Sequence, residues 1–132
     1  MTMKYIAPLL LFFLPIALQA DVVDGLIKGY QAGGAGDFSA KQGAEAWKRL
    51  VPHAKSGQPR SCGDCHGSDL TKAGRHAKTG KSIEPMAPSV NAQRLSDAKK
   101  IEKWFKRNCK WTWGRECTAQ EKGDLLRYLQ QQ

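Results

Sequence analysis

The sequence is short of the side chains from which a protein of this size forms a core. Its mean hydropathy is −0.52, although that value includes an apolar run from Ile6 to Leu18. The rest of the chain is therefore poorer still in core-forming residues. Because a small domain with little apolar surface is marginally stable, we expect a bulky cofactor or covalent cross-links to compensate.

No segment alternates apolar and polar residues over the length of a strand, and this excludes an extended sheet. There is also no internal repeat and no low-complexity tract. Residues 68–96 show little periodicity and contain prolines and glycines, which indicates a long loop that covers a ligand. Apolar residues at helical spacing, with capping signals at Ser39 and at Thr118 with Glu121, predict helices elsewhere. They cover residues 22–30, 39–50, 96–108 and 118–131. The chain is predicted to be all-α.

The one long apolar run has thirteen residues and contains Pro8 and Pro15, so it is shorter than the ~20 residues that cross a bilayer. It follows Lys4 and ends in Gln19-Ala20, which is typical of a secretory signal peptide rather than a membrane anchor. We therefore predict a cleaved signal over residues 1–20, export to the periplasm, and a single domain over residues 21–132.

Only four cysteines are present, and two of them form the string Cys62-Gly63-Asp64-Cys65-His66. This is the attachment motif of c-type haem: two thiols react with the vinyl groups of one porphyrin, and His66 follows as the proximal iron ligand. A thioredoxin-like site would need a βαβ setting, which is absent. A four-cysteine zinc site would need a second close pair. One motif predicts one covalently bound haem c.

Residues able to bind the sixth position of the iron are scarce. Electron carriers of this type usually use methionine or histidine there, and beyond the signal the chain has only Met86, His53 and His76. We expect both histidines to lie at the surface in polar loops. Met86 lies only 20 residues beyond His66, whereas in ordinary class I cytochromes c the methionine usually follows about twice as far on, after the penultimate helix. Met86 stays a candidate distal ligand.

The segment after the penultimate helix, "NCKWTWGREC", contains no methionine and is expected to be a loop. It begins with Asn108, which continues the apolar stripe of Ile101, Trp104 and Phe105. An amide in that position is either a helix cap or a residue with a buried partner.

The stretches "SCGDCHGSDLTKAGRHAKTGKSIEPMAPS", "EKWFKRNC" and "GREC" together resemble the sphaeroides haem protein family of c-type cytochromes. The resemblance implies a class I cytochrome c-like fold, helices and long loops around the haem, with iron ligands at His66 and Asn108. It also implies that the asparagine leaves on reduction and opens a site for oxygen, nitric oxide or carbon monoxide. Leucine is usual in that family at the position of Met86, so methionine ligation stays open.

The resemblance also implies a disulfide between Cys109 and Cys117, and an oxidising compartment favours the same bond. It would stabilise the fold by about 2–3 kcal/mol on the loop-entropy model. The bridge either restricts the travel of the neighbouring Asn108 or is a plain structural cross-link. Trp111 and Trp113, inside the expected loop, either wall a distal pocket or pack at its edge.

Carboxylates are scarce: 12 Asp and Glu stand against 21 Lys and Arg. The basic residues near the penultimate helix form either a solvated helix face or a docking surface for an acidic redox partner. They are Lys99, Lys100, Lys103, Lys106, Arg107 and Lys110. The family resemblance suggests a diheme cytochrome c as electron donor. Nucleic acid is not an expected partner, and a peripheral membrane contact stays open.

Our main hypothesis is therefore an exported monohaem cytochrome c, ligated by His66 and Asn108, that transfers electrons and binds a diatomic gas when reduced. The alternatives are a plain electron-transfer cytochrome ligated by His66 and Met86, and a small enzyme that converts oxygen or nitric oxide. The packing of Gly43 and Trp47 on Tyr128 and Leu129 is expected to resemble the helix crossing of class I cytochromes.

Overall fold

The computed structural model describes residues 15–132. In that range the chain has five helices: α1 Pro15–Ala32, α2 Ala40–Lys48, α3 Gly63–His66, α4 Ala98–Trp113 and α5 Ala119–Gln130. Two small antiparallel hairpins flank α3. The first pairs β1 (Val51–Pro52) with β2 (Pro59–Arg60), and the second pairs β3 (Gly74–Arg75) with β4 (Ser82–Ile83). The all-α prediction is confirmed.

The predicted signal peptide, residues 1–20, lies mostly outside the described residues, and its cleavage stays a prediction. Within residues 15–132 no helix combines the length and the apolar character that a bilayer crossing requires. The described part of α1 contributes two core residues, Val23 and Ile27.

The helix starts follow the capping signals of the sequence. The Ser39 side chain accepts a hydrogen bond from the Gln42 backbone at 3.3 Å and begins α2. At the start of α5, the Thr118 hydroxyl accepts from the Glu121 backbone at 3.1 Å, and the Glu121 carboxylate accepts from the Thr118 backbone at 2.9 Å. Both caps satisfy backbone donors that a helix start leaves unpaired.

Helices α2 and α5 cross in close contact at Gly43. A Cβ atom on Gly43 would overlap the carbonyl group of Asp124 and the Cβ of Tyr128. One turn later, the rings of Trp47 and Tyr128 lie 5.9 Å apart. The expected class I crossing is confirmed. Leu50 lies beyond the end of α2 and is 63 % exposed.

Helix α4 is longer than the sequence indicated. It continues through Asn108 to Trp113 and ends at Gly114, whose φ of 71° forms a left-handed cap. The prediction of a loop from Asn108 onward is therefore wrong, because no proline or glycine interrupts the helix before Gly114. Asn108 is neither a helix cap nor a buried residue: it lies within the helix and is exposed.

The two hairpins repeat one short pattern that the sequence analysis overlooked. Their tips read His-Ala-Lys-Ser-Gly at residues 53–57 and His-Ala-Lys-Thr-Gly at residues 76–80. In each tip the glycine has a positive φ, 67° and 69°, and its N–H donates to the carbonyl of the histidine at 2.8 Å. Neither histidine is fully at the surface, since both are half-buried.

The helix crossing gives a first prediction. Gly43→Ala is expected to destabilise the fold by about 1–3 kcal/mol, because the added methyl group forces α2 and α5 apart. Gly25→Ala is the matched control: it also changes a helical glycine, but nothing lies within 4 Å of its added Cβ. The control should be neutral or stabilising by up to about 1 kcal/mol. Urea unfolding of the haem-loaded protein measures both, and equal stabilities would contradict the close crossing.

Candidate functional site

The Cys-x-x-Cys-His string forms the short helix α3, which begins at Cys62. The Asp64 carboxylate fixes this start, because it accepts hydrogen bonds from the Ser61 backbone at 2.9 Å and from the Ser61 hydroxyl at 3.0 Å. Cys62 and Cys65 are free thiols and are half-buried. The helical turn therefore presents two thiols, spaced for the two vinyl groups of one porphyrin, and the histidine directly after them.

The two thiols have different surroundings. Burial raises the pKa of the Cys62 thiol to about 11, so this group is protonated at neutral pH. The Cys65 sulfur accepts a hydrogen bond from the Ala77 backbone, with N and Sγ 3.3 Å apart. This contact brings the tip of the second hairpin against the motif.

The imidazole of His66 is held against Trp47. The two ring centroids lie 5.4 Å apart, and the Trp47 indole N–H donates to the Gly67 carbonyl at 3.3 Å. Burial, followed by the charge of Arg94, lowers the pKa of His66 to about 4. The ring is therefore neutral at physiological pH, which is the form that binds a metal. Its Nδ1 atom is buried and has no hydrogen-bond partner within residues 15–132.

Gly74 brings the second hairpin directly onto the back of the motif. A Cβ atom there would overlap the Cys65 carbonyl and approach the His66 Cα to 2.9 Å. Only glycine fits this approach, so the hairpin and the motif form one packed unit.

Met86 lies in the irregular segment between the second hairpin and α4. It is half-buried and packs against the core. The Arg94 guanidinium fixes the two residues before it, donating to the Pro85 carbonyl at 2.8 Å and to the Glu84 carbonyl at 2.6 Å. Burial lowers the pKa of Arg94, and the next residue, Leu95, has a positive φ of 57°. This strained turn and its arginine had no signal in the sequence.

Asn108 lies one helical turn before Trp111, so the two share a face of α4. The Trp111 carbonyl accepts a hydrogen bond from Arg60 at 2.9 Å, and the Arg60 guanidinium lies 4.3 Å from the Trp111 ring centroid. On the second hairpin, the His76 ring lies 6.3 Å from Trp111. This face of α4 therefore contacts both hairpins that flank the motif.

Trp111 and Trp113 differ in role. Trp113 is buried beneath Arg49, whose guanidinium lies 4.3 Å from the ring centroid, with Arg115 at 5.5 Å. Its indole N–H has no partner within the described residues. Trp113 thus belongs to the packing at the end of α4, whereas Trp111 faces the two hairpins.

The predicted disulfide between Cys109 and Cys117 is confirmed, with the Cα atoms 5.6 Å apart and both residues buried. It joins the last turns of α4 to the residue before the cap of α5. The bridge begins at the residue that follows Asn108.

Glu121 joins this bridged segment to two other parts of the fold. Its carboxylate accepts hydrogen bonds from Arg115 at 2.7 Å and from Arg49 at 2.8 Å. The Arg115 hydrogen bond is the main cause that lowers the pKa of Glu121 to about 2. Both arginines also cover Trp113, so a single carboxylate positions the end of α4 against α2 and α5.

The residues fit a covalently attached haem. The thiols have the required spacing, the neutral imidazole follows them, and a buried ring nitrogen lacks a partner. Cys62 packs against an apolar core cluster that includes Leu70 and Ala87, and Met86, Ile101 and Phe105 pack against the same cluster. A small helical domain with this motif and this lining is a c-type cytochrome that carries one haem c.

Comparisons with known proteins agree with this class. Residues 33–129 match a family model described as Domain of unknown function (DUF1924). The chain is 42% identical over 104 residues to the cytochrome c-type protein SHP of Cereibacter sphaeroides, covering 79% of each protein. It is 36% identical over 74 residues to cytochrome c'' of Methylophilus methylotrophus, covering 56% of this chain and 51% of that protein. The chain belongs to the SHP family of c-type cytochromes.

Solved structures show the same fold. The structure described as oxidized SHP, an oxygen binding cytochrome c, has a TM-score of 0.76 at 41% identity and covers 83% of this chain and 96% of that one. Oxidized cytochrome c'' from Methylophilus methylotrophus has a TM-score of 0.73 at 27% identity, covering 87% and 94%. The predicted cytochrome fold is confirmed.

The Glu121 contacts predict how stability depends on acid. Because the folded pKa of about 2 lies below the ordinary value of 4.5, ionised Glu121 stabilises the fold above about pH 4.5. That stabilisation is lost as the pH falls toward 2. Glu121→Gln is expected to lower the unfolding free energy at pH 7 by about 1–2 kcal/mol.

Denaturant unfolding from pH 7 to pH 3 tests this prediction. The difference between wild type and Glu121→Gln should narrow as the pH falls. Glu45→Gln makes the same chemical change on an exposed residue of α2 and should change the stability by less than about 0.5 kcal/mol. A Glu121→Gln effect that is independent of pH would contradict the assigned role.

Proposed function

We propose that the protein is an exported, periplasmic electron-transfer cytochrome that binds a diatomic gas once it is reduced. Cys62 and Cys65 attach the haem and His66 is the proximal ligand. Asn108 is the distal ligand of the oxidised state. The observation that carries the proposal is the position of Asn108 on the α4 face whose next turn, at Trp111, contacts both hairpins around the motif.

When bound, the haem would supply an iron that accepts and releases one electron, held by His66 on one side and by a second ligand from the chain. Everything else in the proposal is a property of the chain. Trp47 holds the His66 ring, and the lowered pKa keeps that ring neutral and able to bind metal. The relative whose structure is described as oxygen binding is 41% identical, which supports a gas as the ligand.

The chemistry of the carboxamide explains why gas binding depends on the electron. The Asn108 oxygen is a hard, neutral and weak donor, so it binds ferric iron better than the softer ferrous ion. Reduction therefore releases Asn108 and frees the position for oxygen, nitric oxide or carbon monoxide. The released amide can donate its NH₂ to the bound gas, a hydrogen bond of the kind that sets oxygen affinity.

The position of Asn108 inside helix α4 limits how far its side chain can move once it has left the iron. Asn108 lies inside α4, and the adjacent Cys109 is bonded to Cys117. The backbone of Asn108 is thus fixed on its C-terminal side, and release requires rotation of the side chain rather than movement of a loop. A side chain that stays close can bind the iron again as soon as it is oxidised.

Met86 supports the second candidate function, a plain electron carrier without a gas site. It is half-buried, packs against the core, and follows a segment that Arg94 fixes. A thioether binds both oxidation states of the iron, so this ligand would not leave on reduction.

Two substitutions separate the candidates. If Asn108 is the ligand, Asn108→Leu converts the oxidised protein from low spin toward high spin, and Met86→Leu leaves the spectrum unchanged. Reduced wild type and both variants bind carbon monoxide, and oxygen leaves Asn108→Leu several-fold faster, as the loss of one hydrogen bond of about 1 kcal/mol requires. Electronic spectra and stopped-flow measurement of oxygen release are the readouts.

The opposite pattern would establish Met86 as the ligand. In that case Met86→Leu abolishes the charge-transfer band that ferric histidine–methionine haem shows at the red end of the visible spectrum. Reduced wild type then ignores carbon monoxide.

The disulfide has its own test. The double variant Cys109→Ser and Cys117→Ser is expected to lose about 2–3 kcal/mol of stability. If the bridge also restrains Asn108, the double variant binds carbon monoxide faster after reduction and returns more slowly to the low-spin state after reoxidation. Flash photolysis and stopped-flow reoxidation measure these rates. A loss of stability with unchanged rates would leave the bridge as a structural cross-link only.

A further inference from the structure

The two hairpin tips are rigid copies of one another. In each tip the histidine Nδ1 accepts a backbone N–H from the lysine two residues later, at 3.3 Å for Lys55 and 3.2 Å for Lys78. The backbone N–H of His53 donates across its hairpin to the Gln58 carbonyl at 3.0 Å, and the backbone N–H of His76 donates to the Lys81 carbonyl at 2.8 Å. Both lysines are thus carried on tips with a fixed backbone, and a surface fixed in advance loses little entropy on binding.

The hairpins carry cations and no carboxylate. Residues 51–60 and 74–83 contain five Lys or Arg and no Asp or Glu. Four of the five are exposed and form no salt bridge within the described residues. They are Lys55, Arg75, Lys78 and Lys81. Of the carboxylates next to the hairpins along the chain, Asp64 binds Ser61 and Asp69 pairs with Lys72. Glu84, directly after the second hairpin, is exposed.

The hairpins meet at the same end of α4. The His76 ring lies 6.3 Å from Trp111, and a Cβ on Gly114 would lie 3.6 Å from the Ala54 Cβ. Ala54 and His76 belong to different tips, so both tips flank the last turn of α4. The cations of the two hairpins are therefore carried near the same end of α4.

The second tip also reaches the attachment motif. The Ala77 N–H donates to the Cys65 sulfur at 3.3 Å, and the neighbouring residue Lys78 is exposed. A protein that binds Lys78 on this tip is therefore one residue away from Ala77, which is hydrogen-bonded to the sulfur that attaches the cofactor.

We propose that the paired hairpin tips, residues 53–57 and 76–80, are the docking surface for an acidic protein that carries one electron. The proposal rests on the proposed electron-transfer function and names the face where the electron enters. Carboxylates of the partner face Lys55, Lys78 and the neighbouring cations. The partner is oxidised by one electron and the ferric iron is reduced to ferrous, with no proton or covalent bond transferred.

This surface differs from the basic face of α4 that the sequence indicated. The cations of α4 are partly engaged within the chain: Lys110 pairs with Glu116 at 3.2 Å, and Lys103 and Arg107 lie over the Trp104 ring at 5.7 Å and 5.0 Å. The hairpin cations are instead carried next to the motif itself, where proximity to the iron favours electron entry.

Three double variants of equal charge change test the proposal. Lys55→Glu with Lys78→Glu changes the tips, Lys99→Glu with Lys100→Glu changes α4, and Lys28→Glu with Lys41→Glu changes exposed residues of α1 and α2. The probe is the hydroquinone of a bacterial flavodoxin, an acidic one-electron carrier. Stopped-flow reduction of the oxidised holoprotein gives the second-order rate, and titration of oxidised flavodoxin into it gives the affinity.

The tip variant is expected to lose roughly tenfold or more in rate and affinity at low salt, because electrostatic attraction acts mainly on association. The loss should disappear near 1 M salt, where the Debye length is about 3 Å. The other two variants should change by about twofold. Equal losses in all three, or the largest loss in the α4 variant, would overturn the proposal.

Two further measurements distinguish the docking surface from the gas site and from a membrane-binding face. Carbon monoxide binding by dithionite-reduced protein needs no partner protein, so the tip variant should bind it as wild type does. If reduced wild type does not bind carbon monoxide, the proposed gas site is wrong and the docking surface is unaffected. Binding to vesicles that contain anionic lipid is the second measurement. If the tip variant lost vesicle binding while its flavodoxin rate matched the controls, the tips would serve a membrane and the proposed protein partner would be wrong.

Discussion

The fold depends on one close contact, the crossing of α2 and α5 at Gly43. The Asp124 carbonyl occupies the space where a side chain would be, and the two helices therefore lie close enough for Trp47 to reach both Tyr128 and His66. The indole also holds the carbonyl just after the motif. The position of the His66 ring thus follows from the missing Cβ atom of Gly43, one turn before Trp47 on α2.

Helices α2 and α5 also position the end of α4 and the disulfide-bonded segment that follows it. Glu121, in the first turn of α5, holds Arg49 from the end of α2 and Arg115 from the bridged segment. Both arginines cover Trp113 at the end of α4. Helix α4, which carries Asn108, and helix α2, which carries Trp47, are therefore both held by Glu121 through these two arginines. Small movements of α4 are opposed by an ion pair network and a disulfide together, so the proposed ligand exchange at Asn108 would occur within a rigid frame.

What the sequence could predict was mostly local. The attachment motif and the serine and threonine caps depend on residues a few positions apart, and the caps and the haem c cofactor are confirmed. The crossing joins Gly43 to Tyr128, far along the chain, and it was expected from the likeness to class I cytochromes. The end of α4 was misplaced because ordinary class I cytochromes c have a loop after the penultimate helix, whereas this helix continues to Gly114. Arg94 and the contacts of Trp111 could not be predicted, because they join residues that only the folded chain brings together. The two five-residue repeats can be read in the sequence, but only the folded chain shows that they form the tips of two hairpins beside the motif.

The shortage of carboxylates has a structural consequence that joins these observations. Eight of the 12 acidic residues form hydrogen bonds or ion pairs: Asp24, Asp64, Asp69, Asp97, Glu102, Glu116, Glu121 and Asp124. Few remain to neutralise 21 Lys and Arg, so the surplus of positive charge falls on the surface. Near the motif, the two hairpins carry five Lys or Arg and no carboxylate, and each rigid tip presents one lysine. If gas binding depends on the arrival of an electron, these cations determine how often a donor docks. The charge imbalance then controls access to the iron as directly as the distal ligand does.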